Sequence, residues 1–444
     1  MDIRPFPAQT DDRRTLGSYW EVSVPQPRQD RKLHGNALFD VAVIGAGFAG
    51  LSAALRLAEM GISVCVLEAE HVGFGASGRN GGFCCLGGTK LDARQLVNRF
   101  GLEEARKFLA FQVAGINLVA QRLDSWGVDA DRHSKGEMLL AHRAKDVADL
   151  KSEAEFLKAN FGIRTRFLSR EELFEQGYGG PSFHGGLHVP YGFALNPMAY
   201  VQALADRLRR AGGKIFGKTP VGSIDRDTDR WRLETKNGFV RAKKVVLAGN
   251  GYSDETVPAW LHGRTMPVMS SIQVTRPLSE TELAEQGWTS DTMAADTRIL
   301  LHYFRLLPDK RFLFGTRGGI NEDASSIKAM QNRARADFET MFPSWANVRS
   351  EFSWHGHICI ARTLTPFVGE VPGLDGVYAA MGWHGSGVAM ASISGEKLAG
   401  LISGKLRQED LPAALQRPFT RFPIPALRKL YLQGAYWLYG LKDR

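Results

Sequence analysis

The chain has 444 residues, 44% of them hydrophobic, 23% charged and 10% aromatic, a composition that supports a large buried core and excludes a disordered or collagen-like chain. Its formal net charge of +9 makes anionic partners electrostatically welcome without specifying a fold. The cysteines, Cys65, Cys84, Cys85 and Cys359, form neither a disulfide framework nor a C-x-x-C zinc pattern.

An N-terminus without an apolar leader, and no run near the ~20 apolar residues of a membrane span, complete the expectation of a soluble, cytoplasmic protein with no transmembrane segment. Residues 1–37 are polar and proline-bearing and predict an irregular arm. Leu38 to Ile44 predicts a buried strand. Leu51, Ala54, Leu55 and Ala58 then repeat at helical spacing until Gly61, and Ser63 to Leu67 predicts a second strand. The unit is β-α-β, with parallel strands. Beyond about Leu91 the pattern turns helical, with Leu109, Val113, Ile116, Ala120 and Leu123 on one face and a second helix over 144–161. Ser169 and Glu172 have capping-box spacing, and Asn196-Pro197 opens a helix that Gly212-Gly213 ends. Asn237-Gly238 between two apolar stretches predicts a hairpin. Strand-like segments at 268–275, 299–306 and 311–315 predict an antiparallel sheet.

Gly45-Ala46-Gly47-Phe48-Ala49-Gly50 is a G-x-G-x-x-G between strand and helix, the context of a dinucleotide-binding loop. Glu68-Ala69 follows the second strand, where the carboxylate of Glu68 suits a ribose hydroxyl and repels a 2′-phosphate. A second cluster, Gly73 to Gly82, contains Ser77, Gly78, Arg79, Asn80 and Gly81. Such a run suits a cofactor larger than NAD, whose pyrophosphate and ring system must be wrapped.

The tract Gly75-Ala76-Ser77-Gly78-Arg79-Asn80-Gly81-Gly82, the opener Leu195-Asn196-Pro197, the strand Val245 to Gly249 and the closing Gly382-Trp383-His384-Gly385-Ser386-Gly387-Val388 follow one another in this order. In this the chain resembles the FAD-dependent oxidases of the D-amino-acid oxidase superfamily, and within it the gamma-glutamylputrescine oxidase-like branch. The resemblance covers essentially the whole chain, including Ser18-Tyr19-Trp20. It implies an α/β (α+β mosaic) fold, a Rossmann-like FAD-binding domain interleaved with an antiparallel-sheet substrate domain. The FAD domain would comprise 38–90, 186–258 and 351–408, the cap 91–185 and 259–350, with 1–37 an arm and 409–444 a tail. By the same likeness Val221 would meet the adenine, Ser77, Arg79 and Asn80 would lie along the pyrophosphate and ribityl chain, and Gly382 to Val388 would open a helix under the isoalloxazine. A helix N-terminus there carries partial positive charge suited to an anionic reduced flavin.

The implied activity is oxidation of an amine C–N bond to an imine, with oxygen or another electron acceptor, on noncovalent FAD. Candidates over the flavin are Tyr303 and Arg305, which alternation puts on one strand face, with Phe83, Trp383 and His384. The superfamily's carboxylate-binding arginine is absent soon after Trp354-His355-Gly356, which favours an amine over a free amino acid, although Arg305 or Arg317 could substitute. No lysine stands within Arg311 to Gly315, where relatives place an oxygen-activating one. The alternatives are an amino-acid or N-methyl amino-acid oxidase or dehydrogenase of the same superfamily, an NAD-dependent dehydrogenase, and an RNA-binding or RNA-modifying flavoprotein. Scattered basic residues without an aromatic-basic motif argue against nucleic acid. The C-terminal stretch, with Trp437-Leu438-Tyr439, suits packing on its own domain or, less well, peripheral membrane contact.

Overall fold

Val41 to Val43, Val64 to Leu67 and Val245 to Leu247 are all buried, a continuous apolar reading that belongs to strands covered on both faces. In a computed structural model, which describes residues 18–25 and 28–443, these stretches are the parallel centre of one sheet. Strand Ala37–Ile44 lies between Val64–Leu67 and Gly238–Leu247, parallel to both, with Val41 opposite Val64 and Ala42 opposite Val245. The sheet continues through Lys214–Phe216 on one side and through Val377–Met381 and Phe367–Glu370 on the other. The hairpin predicted at Asn237-Gly238 joins Arg230–Thr235 to Gly238–Leu247. Most of the predicted N-terminal arm, residues 1–17, lies outside the described residues; Tyr19–Val22 of the remainder forms one helical turn.

Helix Phe48–Glu59 completes the predicted β-α-β unit. It packs against Val388–Ile402 and Pro197–Arg210, and Gly395 permits the closest approach, since a Cβ there would stand 2.2 Å from the Ala49 carbonyl oxygen. Asn196 caps Pro197–Arg210 through the Met198 and Ala199 N–H groups, and Ser169 with Glu172 closes the predicted capping box on Arg170–Glu175. The helices expected after Leu91 are Leu102–Trp126 and Asp146–Phe161.

The second sheet runs Ser350–Ala361, Thr265–Thr275, Phe312–Arg317, His302–Leu306, Met293–Asp296, Glu137–Leu140, Gly186–Val189 and Arg166–Leu168. It is antiparallel as expected, except where Met293–Asp296 and Glu137–Leu140 run parallel. Three boundaries differ from the expectation. Gly186–Val189 and Ser350–Ala361 pair into this second sheet, so the expected segments 186–258 and 351–408 each begin with a strand of the other layer. The strand expected over 299–306 starts only at His302, because the Ile299 and Leu300 N–H groups are taken by the Asp443 carboxylate at 2.9 and 3.1 Å and not by a neighbouring strand. One face of the sheet carries a dense aromatic core in which Trp288, Phe304, Phe312, Phe338, Phe342 and Trp345 are all fully or nearly fully buried.

The C-terminal helix Arg428–Lys442 is tied at its start by the buried Arg428–Glu255 pair and leaves Leu430 and Trp437 exposed. No helix among the described residues is long and apolar enough to cross a membrane.

The topology has one consequence for chemistry. The carboxyl ends of Ala37–Ile44, Val64–Leu67, Gly238–Leu247 and Val377–Met381 run straight into Gly45 to Gly50, Glu68, Gly249 and Gly382. Four motifs separated by up to hundreds of residues therefore meet along one sheet edge, where open α/β sheets bind ligands.

Candidate active site

At that edge Gly45 turns with φ +105°, and Gly50 lies so close beneath it that a Cβ would be 2.1 Å from the Gly45 carbonyl oxygen. The turn aims helix Phe48–Glu59 at the edge, and its N-cap, Gly47, has no side chain to satisfy the first N–H groups. Ser77 reaches across from the second cluster, its Oγ accepting the Phe48 N–H at 2.9 Å. Glu68 accepts the N–H groups of Ala46 and Glu70 at 2.8 and 2.9 Å. Protein surrounds it and burial pushes its carboxyl pKa up, yet it remains partly accessible. Ala69 beside it is exposed. Thr219 donates its N–H to the Glu68 carbonyl at 2.8 Å, which brings Val221, the first residue of Val221–Asp227, towards this end.

The second cluster is held by its own side chains and by two tryptophans. Asn80 Nδ2 donates to the carbonyls of Ala76 and Ser77, while Asn80 Oδ1 accepts the Gly82 N–H at 2.7 Å. Arg79 Nε donates to Phe74 O at 2.7 Å and its Nη1 to His355 O at 3.3 Å. Trp20 and Trp354 donate their indole N–H groups to Asn80 O and Arg79 O, both at 2.8 Å, and Ser18 binds Gly78 O. The side chains of Arg79 and Asn80 thus shape the loop, and Ser77 ties it to the start of helix Phe48–Glu59.

Arg305 has the same structural character. Fully buried, it donates Nε to Gly81 O at 3.0 Å and Nη2 to Leu195 O at 2.8 Å, while Nη1 meets His133 Nε2 at 3.0 Å. Burial lowers its pKa to about 9 and, with Arg305 beside it, lowers that of His133 to about 4. Alternation places Arg305 on the Tyr303 face as predicted, but its donors serve the glycine tract.

Tyr303 sits over that tract. Its ring lies on Gly315, where a Cβ would be 2.1 Å away, and within 2.8 Å of the equivalent position on Gly81. Phe83 meets the ring edge-on, centroids 5.7 Å apart. The Tyr303 hydroxyl is 3.0 Å from Ser270 Oγ, which gives its own hydrogen to Thr316 O at 2.9 Å. Tyr303 therefore donates to Ser270, which leaves its phenolic oxygen able to accept a further hydrogen bond.

Gly382, Gly385, Ser386 and Gly387 lead into helix Val388–Ile402. Asn250 Oδ1 receives the Gly382 N–H at 2.9 Å, just beyond Gly249. Trp383 is buried against Gly387. His384, buried and at φ +50°, accepts the Ala361 N–H on Nε2 at 3.2 Å, so its proton is on Nδ1, facing Gly88 O at 3.3 Å. Burial lowers its pKa to about 4, and the neutral ring braces the turn with both nitrogens occupied.

Sequence reasoning missed the roles of Trp20, Trp354, Ser270 and Asn250. The tryptophans were visible as rare residues in polar segments; the others carried no local signal.

Helix Val388–Ile402 starts in buried surroundings, with Val388, Ala389 and Met390 all inaccessible, and no side chain caps it. A buried, uncapped helix start calls for an electron-rich partner. Together with the Gly47 turn and the partly accessible Glu68, it fits a long dinucleotide whose ribose, pyrophosphate and ring system each meet one of these features. The residues fit FAD.

Comparison with known proteins agrees. The sequence profile of the DAO family, described as FAD dependent oxidoreductase, matches residues 40–401. The chain is 33% identical over 368 residues to a probable oxidoreductase OrdL of Haemophilus influenzae, covering 82% of this chain and 83% of that protein. It is 29% identical over 431 residues to the gamma-glutamylputrescine oxidoreductase of Escherichia coli, covering 96% and 98%. The crystal structure of glycine oxidase from Bacillus cereus has the same fold, with a TM-score of 0.68 at 22% identity over 86% of this chain and all of that one. The NAD reading of the first glycine motif is thereby set aside, and the chain belongs to the DAO family of FAD-dependent oxidoreductases.

Proposed function

We propose that the chain oxidises the C–N bond of a primary or secondary amine, such as the free end of a gamma-glutamylated diamine, to an imine. Bound FAD supplies the acceptor for the hydride that leaves the amine carbon. Water adds to the imine carbon and expels ammonia or a smaller amine, leaving an aldehyde or keto product, and oxygen (yielding hydrogen peroxide) or another acceptor is the terminal oxidant. Likeness over nearly the full length to an oxidoreductase named for gamma-glutamylputrescine supports this substrate class.

The observation that carries the reading is the Tyr303 phenol, packed over the glycine tract with its hydroxyl proton given to Ser270. Only the neutral amine can release hydride from the adjacent carbon, and surroundings poor in water favour that form. Tyr303, its own proton committed to Ser270, is set to accept an N–H of that amine and orient its carbon towards the glycine tract. Cys359 lies buried with its thiol pushed up to about 12 by burial, so it is a poor nucleophile, consistent with noncovalent cofactor.

Anaerobic mixing of the purified flavoprotein with gamma-glutamylated and free diamines, N-methyl amino acids and simple amino acids tests the proposal. Flavin absorbance is expected to bleach with an amine of the first group, and readmitted air reports whether oxygen is the acceptor. Bleaching by none of these compounds would sink the reading. Tyr303→Phe is expected to slow the reductive phase by about tenfold, the worth of one hydrogen bond in a dry site, with flavin content unchanged. An unaltered rate removes Tyr303 from the mechanism.

A further inference from the structure

Among the described residues eleven large hydrophobic side chains are exposed, and six of them, Ile424, Leu430, Tyr431, Trp437, Leu438 and Leu441, lie within residues 424–441. Singly scattered apolar residues are ordinary on a soluble surface, but a concentration of this kind marks a face that binds something. A seventh, Ile299, adjoins them, for the Asp443 carboxylate accepts its N–H at 2.9 Å.

Helical spacing produces the arrangement. Along Arg428–Lys442, the side chains of Arg428, Leu432 and Tyr439 recur at steps of four and seven and turn inward, the first two of them buried. Leu430, Trp437 and Leu441 recur at steps of seven and four on the opposite side, with Leu430 65% and Trp437 69% exposed. From Leu430 to Leu441 the helix carries no charged residue, so its outer face is apolar where a solvated helix holds its charges. Packing on its own domain accounts for one side of this helix and leaves the other unexplained.

Cations frame the outer face. Lys429 and Lys442 are exposed and flank the apolar line, one on each side. Arg421 is exposed just before Ile424, and its carbonyl accepts from the exposed Arg362 guanidinium at 3.4 Å. The one acid in residues 411–443 is Asp443, whose carboxylate is spent on the Ile299 and Leu300 N–H groups. Glu322, close enough to feel the Lys429 charge, is bonded to His357 at 3.2 Å.

We infer that the outer face of helix Arg428–Lys442 docks on an anionic lipid bilayer. The helix lies in the membrane plane, with Leu430, Trp437 and Leu441 entering the headgroup boundary and Lys429, Lys442 and Arg421 meeting lipid phosphates. Trp437 and Tyr431 suit that depth, where one end of a ring is dry and the other wet. The helix, 15 residues and about 22 Å long, lies on the bilayer and does not cross it. A second copy of the chain fits less well, because pairing about a twofold axis presses the same cations together and the face offers no carboxylate to answer them. The inference is independent of the amine-oxidation reading.

Flotation of the flavin-loaded full chain with lipid vesicles tests it. Vesicles of equal parts phosphatidylcholine and phosphatidylglycerol are expected to carry the protein, vesicles of phosphatidylcholine alone to carry about tenfold less, and high salt to release it. The triple variant Leu430→Ser, Trp437→Ser, Leu441→Ser is expected to weaken binding by roughly 100-fold or more, and Lys429→Gln with Lys442→Gln by about tenfold. Phe174→Ser removes a ring that is 66% exposed on another helix, Arg170–Glu175, and is expected to float as the parent does. All these side chains face solvent, so flavin content and the urea midpoint are expected to stay unchanged.

Failure of the parent protein to bind the anionic vesicles overturns the proposal, as does undiminished binding by the triple variant. Equal affinity for the two vesicle types overturns the assignment to anionic lipid. A concentration-dependent dimer that the triple variant abolishes, in a protein that ignores vesicles, gives the face to a second copy and overturns the proposal as well.

Discussion

Gly50→Ala is expected to give a folded protein that no longer retains flavin. The added methyl would stand 2.1 Å from the Gly45 carbonyl oxygen and 3.1 Å from Val43 Cγ1. The first of these is backbone in the turn itself, so no flexible side chain can move aside. Relief requires the helix start to separate from the turn, which carries Gly47 and the first N–H groups of Phe48–Glu59 away from the pyrophosphate. Loss of two charge-assisted hydrogen bonds at ~1.5 kcal/mol each weakens cofactor binding by roughly 100-fold or more. The measurement is flavin released by heat per mole of purified protein, with titration of the apoprotein by FAD and a circular dichroism spectrum to establish folding. Gly61→Ala is the control: Gly61 has open space around it but positive φ, +76°, so the variant is expected to lose about 1 kcal/mol of stability and keep its colour. A yellow Gly50→Ala protein with normal FAD affinity would refute the packing argument.

Local chemistry wrote the first half of this site into the sequence. Gly45, Gly47 and Gly50 stand between a strand and a helix, and that neighbourhood is readable because strand, turn and helix are consecutive. The hairpin at Asn237-Gly238 and the capping box at Ser169 were legible for the same reason. The strands Glu137–Leu140 and Arg166–Leu168 were not, for each has four residues or fewer, too short to show alternation against the surrounding helical pattern. What joins distant segments left no trace of spacing. Trp354 reaches Arg79 across 275 positions and Asn250 reaches Gly382 across 132. Alternation correctly put Tyr303 and Arg305 on one face, yet only the fold tells that Arg305 grips Gly81 and Leu195 while Tyr303 covers Gly81 and Gly315 and reaches Ser270. Likewise His384 reads as a reactive group in a glycine-rich turn, but the Ala361 N–H on its Nε2 makes it a brace.

The strand that presents Tyr303 is itself fixed by a buried charge network, and stability is expected to fall as pH rises through about 9. His302 precedes Tyr303 and is 6% exposed. Its Nδ1 is 2.8 Å from Asp296 Oδ2 and its Nε2 3.1 Å from Asp337 Oδ2, so both ring nitrogens face carboxylates and both carry protons. Burial alone would lower the imidazolium pKa, but the hydrogen bonds and charges of the two aspartates outweigh it and raise the value to about 9. Arg298 also pairs with Asp296, and the ring stacks on Phe314 at 5.3 Å. The pKa is raised above the ~6.5 of an unfolded histidine, so the contribution is complete below that pH and is lost as pH rises through about 9. The order of magnitude is ~2–3 kcal/mol, reduced from the full linkage value because Asp337 is half exposed and its share is screened by solvent. His302→Gln keeps a donor but no charge, and is expected to cost about 2 kcal/mol near pH 6.5 by leaving Arg298 alone to neutralise the buried Asp296. Near pH 9.5 the two proteins should converge. Urea unfolding of the flavin-loaded proteins at both pH values measures this, and a wild-type advantage that is equal at the two would mean that His302 is neutral in the folded chain. The rate of flavin reduction should follow the same order, because Thr316, opposite His302 in the sheet, also accepts the Ser270 hydrogen bond that fixes the Tyr303 phenol.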